Sequence, residues 1–196
     1  MTDTRVVSNP YAPPTAQLEK AEAAREQAYL MPCSPLKLVV LSVATFNLYL
    51  LYWFWKNFRY EQRRNPEISV VLRTIFSGLF VYSLARGALD GAETRGISAG
   101  YSPALLAGMF VGLAILSRAL PSGLDFVVFL MPLTLVPVQR TVNRINHDVD
   151  PALGKAGGFS GKEIALAVPG SLLVLLALVG TMLEYPPFVS ISPLRC

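Results

Sequence analysis

"FNLYLLYWFWKNFRYEQRR", residues 46–64, changes abruptly from aromatic and aliphatic side chains to positively charged ones. The block at 36–55 is apolar on every side of a helix, and it has about the 20 residues that cross the hydrocarbon core of a bilayer. Tyr and Trp concentrate at the headgroup level of membranes, and Lys and Arg beyond them favour the cytoplasmic side. The stretch therefore predicts a helix that leaves a membrane through an aromatic belt and ends in a cytoplasmic basic anchor.

Two sets of residues carry this prediction. The candidates for the interfacial aromatic belt are Tyr49, Tyr52, Trp53 and Trp55. The candidates for binding lipid headgroups are Lys56, Arg59, Arg63, Arg64, Arg140 and Arg144. We expect the lipid bilayer to be the partner of both sets.

The composition agrees with a membrane protein. Of 196 residues, 53% are hydrophobic and 15% are charged, and the mean hydropathy is +0.45, whereas soluble domains are about a quarter charged. The net charge of +4 lies beside apolar blocks rather than on a polar domain, which favours anionic headgroups over nucleic acid as its target. We expect no nucleic-acid partner.

Four further apolar blocks follow, at about 68–89, 102–120, 124–138 and 164–183. Together with the first block they predict an all-α integral membrane protein with four or five hydrophobic helices. The chain then divides into a polar, partly disordered tail (1–33) in the cytoplasm or the periplasm, a helical membrane domain (34–185) and a short tail (186–196). Ser160 and Glu163 form a capping box that predicts the start of the last helix.

Charges and prolines make two of these blocks unusual. The second carries Arg73 and Arg86, which a continuous helix would place about 20 Å apart, so that they reach opposite interfaces; an arginine lining a pathway is the alternative. Pro132 and Pro137 interrupt the fourth block, which is either a kinked span or a re-entrant segment.

The third block carries a candidate helix contact. Ser102 is a predicted N-cap, with Pro103 at the first helical position. Ala104, Gly108 and Gly112 follow at four-residue spacing on one face, and small residues at this spacing let two membrane helices approach closely. We expect this face to contact another helix, in the same chain or another, while Phe110 on the opposite side faces lipid.

After the fourth block, residues 138–146 predict an amphipathic interfacial helix. Val138, Val142 and Ile145 share one face, which we expect to meet lipid, with Arg140 and Arg144 off it. Both basic segments, 56–64 and 140–162, favour the cytoplasm, yet three full spans between them would separate them. One hypothesis is that the fourth block does not cross the bilayer; the other is that one basic loop violates the rule.

Most of residues 34–160 resemble a family of bacterial multi-pass inner-membrane proteins, a domain of unknown function. Its first span carries a Thr-x-Gly-x-Tyr signature followed by Tyr-Trp and a basic exit, matched here by Thr45, Tyr49, Tyr52, Trp53 and Lys56, with "SPLK" at 34–37, "VYSL" at 81–84 and "VPVQRTVNRIN" at 136–146. Asn47 replaces the glycine, where a bend or a close helix contact would be expected, and its amide would need a hydrogen-bond partner inside the membrane. The resemblance implies the bacterial inner membrane and no particular chemistry.

No catalytic, cofactor-binding or metal-binding residues are predicted. His147 with Asp148 and Asp150 could ligate a divalent ion, but a polar interfacial loop is the simpler interpretation. "GKAGGFSGK" at 154–162 lacks the phosphate-binding pattern and is interpreted as a flexible loop. Cys33 and Cys196 are expected to be free thiols.

Two functional classes remain. The first is a non-enzymatic membrane module that binds lipid headgroups, another membrane protein or a second copy of itself. The alternative is a small transporter or channel subunit with Arg73, Arg86, Asp125 and the broken fourth block along its pathway. Spans without internal Asp, Glu, Lys or His favour the module.

Overall fold

The computed structural model describes residues 28–120, 125–154 and 161–184, which form helices and connecting segments without a β-strand. The predicted all-α fold class is confirmed for this part of the chain. The α-helices are α1 (Pro35–Ala44), α2 (Leu48–Arg64), α3 (Val70–Ile75), α4 (Ser77–Glu93), α5 (Pro103–Ala119), α6 (Met131–Thr134), α7 (Val136–Val149), α8 (Pro151–Gly154) and α9 (Gly161–Glu184). A 3-10 helix, Asp125–Leu130, precedes α6. The polar tails and Ser160 lie outside the described residues, as does most of the glycine-rich loop.

The predicted first span is not one helix. Helix α1 ends in a turn at residues 45–47, and α2 begins after it. In this turn the N–H groups of Phe46 and Asn47 donate to the carbonyls of Val43 (3.1 Å) and Ser42 (2.6 Å), respectively. This pair of bonds is the Schellman helix stop. The Thr45 hydroxyl donates to the Leu41 carbonyl (2.7 Å) and accepts from the Tyr49 N–H (2.9 Å), so one side chain joins both helices.

Asn47 lies at the turn between α1 and α2. Its φ is 66°, in the left-handed region, which glycine adopts freely and asparagine tolerates better than most other residues. The chain therefore turns at this position, where one continuous span was predicted. The expected hydrogen-bond partner is the carbonyl of Val128, to which the Asn47 amide donates at 3.2 Å.

The second apolar block is also broken, at Phe76 between α3 and α4. Arg73 and Arg86 consequently do not lie on one continuous helix, and the predicted spacing along a single span was wrong. Arg73 pairs with Glu61 of α2 at 3.2 Å and lies over the Phe80 ring. Arg86 pairs with Asp90 on the exposed side of α4 at 2.9 Å.

The first turn of α5 forms as predicted, with the Ser102 hydroxyl accepting from the Leu105 N–H and Pro103 at the start. Phe110, however, does not face lipid. Its ring packs edge-on against the Phe54 ring at 5.8 Å and is 4% exposed.

The main core surrounds α2. Trp53, Phe54 and Phe58 are almost completely buried there, because residues three or four apart share a helix face. Helices α4, α5 and α7 complete this core with Val81, Leu84, Ala88, Leu106, Phe110, Val138 and Val142. The apolar face of α7 therefore packs against protein, and the prediction that it meets lipid was wrong.

A second contact joins the two ends of the described chain. Helix α9 crosses α1 with Ala167 beside Leu41 and Ala44. At Gly170 an added side chain would collide with the backbone carbonyl of Ala44. The absence of a side chain there is what lets the two backbones approach so closely.

One helical stretch, Phe126–Val149, is long and apolar enough to cross a bilayer by length and composition, with a mean hydropathy of 1.3. It covers residues 126–130 of the 3-10 helix together with α6 and α7, and it includes residues 126–138 of the predicted fourth block. Helices α1 and α5 and residues 167–177 of α9 are shorter apolar helices.

Candidate functional site

A non-helical segment, residues 28–34, runs through the fold beside α2, α4 and α7. We call residues 29–33 the strap. Its contacts are unusual because side chains from the helices, and not a neighbouring strand, satisfy its main-chain polar groups. A polar main chain buried without partners would be costly.

Three amide side chains of α7 hold one side of the strap. Asn146 accepts from the Tyr29 N–H (2.9 Å) and donates to the Leu30 carbonyl (3.1 Å). Gln139 donates to the Met31 carbonyl (3.1 Å), and Asn143 donates to the Cys33 carbonyl (2.8 Å).

Helix α2 holds the other side of the strap. The side-chain oxygen of Asn57 accepts from the Met31 N–H at 3.1 Å, and the Arg64 guanidinium donates to the main-chain carbonyl of Tyr29 at 2.9 Å. Asn57 is itself fixed by a bond from its amide to the Trp53 carbonyl. Since α2 and α7 both bind the strap, it joins the two helices through its main chain.

Gln139 is the centre of this polar network. It is completely buried, and its carbonyl oxygen accepts from the Trp53 indole N–H at 2.7 Å, while its amide donates to Asn143 at 2.9 Å. Trp53 is therefore a core residue, and its assignment to the interfacial belt was wrong. Tyr52 remains 43% exposed, and Tyr49 and Trp55 are half-buried.

Tyr29 begins the strap in a close-fitting pocket. Its hydroxyl donates to the Gly87 carbonyl at 2.8 Å, and its ring lies directly against Gly91, where any Cβ would overlap it. The guanidinium groups of Arg64 and Arg95 lie 3.7 Å and 5.2 Å from the ring centroid. The two cations together with Gly87 and Gly91 of α4 fix the position of this residue.

Tyr101 lies beside this pocket and donates to the Ala85 carbonyl at 2.9 Å. Burial raises the pKa of its phenol far above the ordinary value, and the neighbouring Tyr29 and Asp90 raise it further. Tyr101 therefore stays neutral at physiological pH and serves as a hydrogen-bond donor to α4.

Aromatic rings and cations lie together along one partly exposed face of α2. We call Tyr52, Trp55, Lys56, Arg59, Tyr60 and Arg63 the basic aromatic stripe. The Lys56 ammonium lies 5.4 Å from the Trp55 ring centroid, Arg59 lies 5.1 Å from the same ring, and Arg63 lies 4.9 Å from Tyr60. Such cation–π contacts hold the charges against the rings and leave them at the surface.

The other headgroup candidates have different roles. Arg64 holds the strap, as described above, and Arg144 donates to the Ser98 carbonyl at 3.1 Å. Arg140 is exposed on the outer side of α7. The stripe therefore contains three of the six predicted residues, Lys56, Arg59 and Arg63.

The predicted small-residue face of α5 is open. Ala104, Gly108 and Gly112 are exposed, and a Cβ added at either glycine would meet no atom within 4 Å. Within the described chain this face therefore contacts no helix, so the predicted contact stays a prediction for another molecule. Gly112 lies at one wall of an apolar groove of about 500 Å³ between α5 and α6, lined by Met109, Leu113, Leu116, Leu130, Leu133 and Thr134.

The predicted alternative of a divalent ion concerns His147, Asp148 and Asp150. His147 and Asp148 lie at the end of α7, and Asp148 approaches Arg95 at 3.9 Å. Among the described residues, no group of three or more His, Cys, Asp or Glu side chains is arranged to hold a metal ion.

Many large apolar side chains point outward from the helices. The exposed members include Leu36, Leu48, Val71, Ile75, Leu79, Leu105, Ile115, Leu133, Val168 and Leu172, each at least half exposed. Scattered exposed apolar residues are ordinary, but soluble monomers rarely expose them on most of their helices.

No local pattern in the sequence predicts the strap. Its own residues, "YLMPC", resemble an ordinary linker, and its partners are distant in the chain. The one available signal was the set of amides Asn57, Gln139, Asn143 and Asn146 within otherwise apolar segments, since buried amides require hydrogen-bond partners.

Comparisons with known proteins add no relationship: no protein family, curated protein or solved structure matches this chain.

Proposed function

We propose that this protein is a non-enzymatic, multi-pass module of the bacterial inner membrane that binds anionic lipid headgroups through the basic aromatic stripe. The stripe is the observation that supports this proposal most directly. It combines the rings that prefer the membrane interface with the cations that prefer anionic phosphates. Tyr52, Arg59 and Arg63 are exposed, whereas Trp55 and Tyr60 are half-buried and also pack against the edge of the core.

The surrounding surface supports a membrane position. The exposed apolar side chains of α1, α3, α4, α5 and α9 would meet hydrocarbon instead of water, which is favourable by about 25 cal/mol per Å² of apolar area. The short helices separated at Asn47 and Phe76 fit a bundle in which some segments enter the bilayer and return. Backbone breaks at membrane depth are tolerated where protein covers them, and the Asn47 amide bonded to Val128 is such a case.

The strap supports one common side for both basic segments. Arg64, at the end of α2, and Asn146, near the end of α7, each bind the main chain of Tyr29 at 2.9 Å. The ends of these helices therefore lie together, and the positive-inside rule can be satisfied for both. The conflict between the two basic segments disappears if the chain between them does not cross the bilayer an odd number of times.

The arginines of the transporter alternative are already engaged. Arg73 pairs with Glu61 and Arg86 with Asp90, and the side chain of Asp125 lies outside the described residues. These contacts favour structural roles for both arginines and thus favour the module over the transporter.

A lipid-retention experiment tests the stripe. The full-length protein is purified in a nonionic detergent with equal amounts of phosphatidylglycerol and phosphatidylcholine, and native mass spectrometry measures which lipid it retains. We expect preferential retention of phosphatidylglycerol, and we expect Arg59→Gln with Arg63→Gln to weaken it by about tenfold or more, since each basic residue near an anionic surface contributes about 1 kcal/mol.

The matched control is Arg86→Gln with Arg118→Gln, which removes the same charge from α4 and α5. We expect this pair to retain phosphatidylglycerol as the wild type does. Equal losses in both double variants would contradict the proposal, because net charge and not the stripe would then explain retention.

A further inference from the structure

A polar concavity lies at the end of α7, away from the core. We call it the polar hollow; it has a volume of about 450 Å³ and is lined by Ile97, Asn143, Arg144, His147 and Asp148. Ile97, in the segment between α4 and α5, lines the side of the hollow opposite α7. Gly96, with a φ of +67°, precedes this segment, and Arg144 donates to the carbonyl of Ser98 within it.

Two of the lining residues are committed to the fold. Asn143 donates to the strap and accepts from Gln139, and Ile97 offers only apolar surface. The groups left to face a ligand are the guanidinium of Arg144, the imidazole of His147 and the carboxylate of Asp148. A guanidinium has five N–H donors, so its bond to Ser98 leaves several for an anion.

The carboxylate of Asp148 can also accept a new partner. Its contact with Arg95 is 3.9 Å long, and the Asp148 side chain is 60% exposed. An exposed ion pair of this length contributes little to stability. Asp148 can therefore leave Arg95 for another cation at a small cost in free energy. The hollow therefore places a cation and an available carboxylate one helical turn apart, at positions 144 and 148.

We propose that the polar hollow binds a phosphodiester that carries a primary ammonium group, the chemistry of a phosphoethanolamine headgroup. Arg144 and His147 contact the phosphate, and Asp148 accepts hydrogen bonds from the ammonium. A headgroup with only negative charge would place that charge beside Asp148, so the hollow and the basic aromatic stripe select different lipids. The assignment rests on the proposed membrane placement, which brings the hollow to headgroup level.

His147 provides the readout, because it is the single histidine of the chain. The full-length protein, labelled on histidine with ¹³C and ¹⁵N, is titrated in nonionic detergent with soluble glycerophosphoethanolamine, and the imidazole signals are followed by NMR. We expect a saturable shift of these signals. The quaternary ammonium of glycerophosphocholine cannot donate a hydrogen bond, so we expect its affinity to be lower by about tenfold or more.

Two variants separate the halves of the site. Arg144→Gln should weaken glycerophosphoethanolamine binding by about tenfold, and Asp148→Asn should remove the preference over glycerophosphocholine. Arg140→Gln, one turn earlier on α7 and outside the hollow, is the control and should bind normally. Thermal unfolding of each variant identifies any loss of fold, and Asp148→Asn tests the site independently of the bond between Arg144 and Ser98.

The proposal is overturned if the His147 signals do not shift saturably, or if glycerophosphocholine binds as tightly as glycerophosphoethanolamine. Unchanged selectivity in Asp148→Asn also overturns it. A parallel titration with bilayer nanodiscs of phosphatidylethanolamine in phosphatidylcholine distinguishes a lipid source from a soluble one. Because the soluble titration involves neither the stripe nor a bilayer, its failure is distinguishable from failure of the proposed function.

Discussion

Two glycines on α4, Gly87 and Gly91, lie one turn apart and differ in what a side chain there would meet. A Cβ at Gly91 would overlap the Tyr29 ring, whereas one at Gly87 would meet no atom within 4 Å. We expect Gly91→Ala to displace Tyr29 and lower the free energy of unfolding by about 1 to 3 kcal/mol. Thermal unfolding in detergent measures the effect.

Gly87→Ala is the control for this prediction. It should leave stability unchanged or raise it by up to about 1 kcal/mol, because alanine favours the helix more than glycine does. If the two alanine variants were equally stable, the Tyr29 pocket would not contribute to the fold.

Tyr101 gives a pH dependence with a definite sign. Its pKa is raised in the folded state by burial, so the folded protein holds this proton more tightly than the unfolded chain, whose tyrosines titrate near about 10. The contribution of Tyr101 to the free energy of unfolding is therefore fully present below that pH, and it is lost as the pH rises above it. We expect Tyr101→Phe to lessen the alkaline loss of stability, measured by denaturant unfolding from about pH 8 to about pH 11. Parallel curves for the two proteins would contradict this assignment.

Helix α9 offers a comparison at the scale of whole elements. Gly170 lies against the Ala44 carbonyl of α1, whereas Gly180 is open. We expect Gly170→Ala to separate the two helices, because a backbone carbonyl cannot move aside as a flexible side chain can. Limited proteolysis between α8 and α9 measures the separation, which should be faster in Gly170→Ala and unchanged in Gly180→Ala. Equal cleavage of both variants would mean that α9 does not depend on this contact.

Several elements could be predicted from local sequence. Ser102 and Pro103 mark the start of α5 because a side-chain cap and a proline act within one turn. Signals of this kind need no knowledge of distant parts of the chain. The turn at Asn47 was missed, since the residues around it are apolar and predict one continuous span, although asparagine is one of the residues that tolerate its left-handed backbone.

The remaining elements depended on tertiary contacts that local patterns do not reveal. Trp53 has the composition of a belt residue, yet Gln139, 86 positions later, binds its indole. Val138, Val142 and Ile145 form an apolar face that suits lipid and protein equally well, and the core covers it. The small-residue face of α5 was predicted as a contact, whereas the close approach observed is on α9, where Gly170 and Ala167, one turn earlier, both lie against Ala44 of α1.

At the scale of the whole molecule, the strap predicts which surfaces share one side of the membrane. Cysteines introduced by Asn65→Cys after α2 and His147→Cys near the end of α7 should both resist an impermeant thiol reagent in intact cells, in a Cys196→Ser background. Both should react after lysis with detergent. Reaction of either site in intact cells would contradict a common cytoplasmic side.

The strap also has a consequence for how the protein is made. Tyr29 and Asn146 are 117 positions apart, so the N-terminal segment leaves the ribosome long before Gln139, Asn143 and Asn146 have been synthesised. Asn57 and Arg64 on α2 are the only described partners of the strap main chain that emerge early. In the proposed membrane placement, we expect helices α1 and α2 to insert with the strap incompletely bound, and its main chain to be open to proteases until α7 has been synthesised. A nascent chain stalled before position 139 would remain open to proteases, because the hydrogen bonds from the strap to α7 can form only late in synthesis.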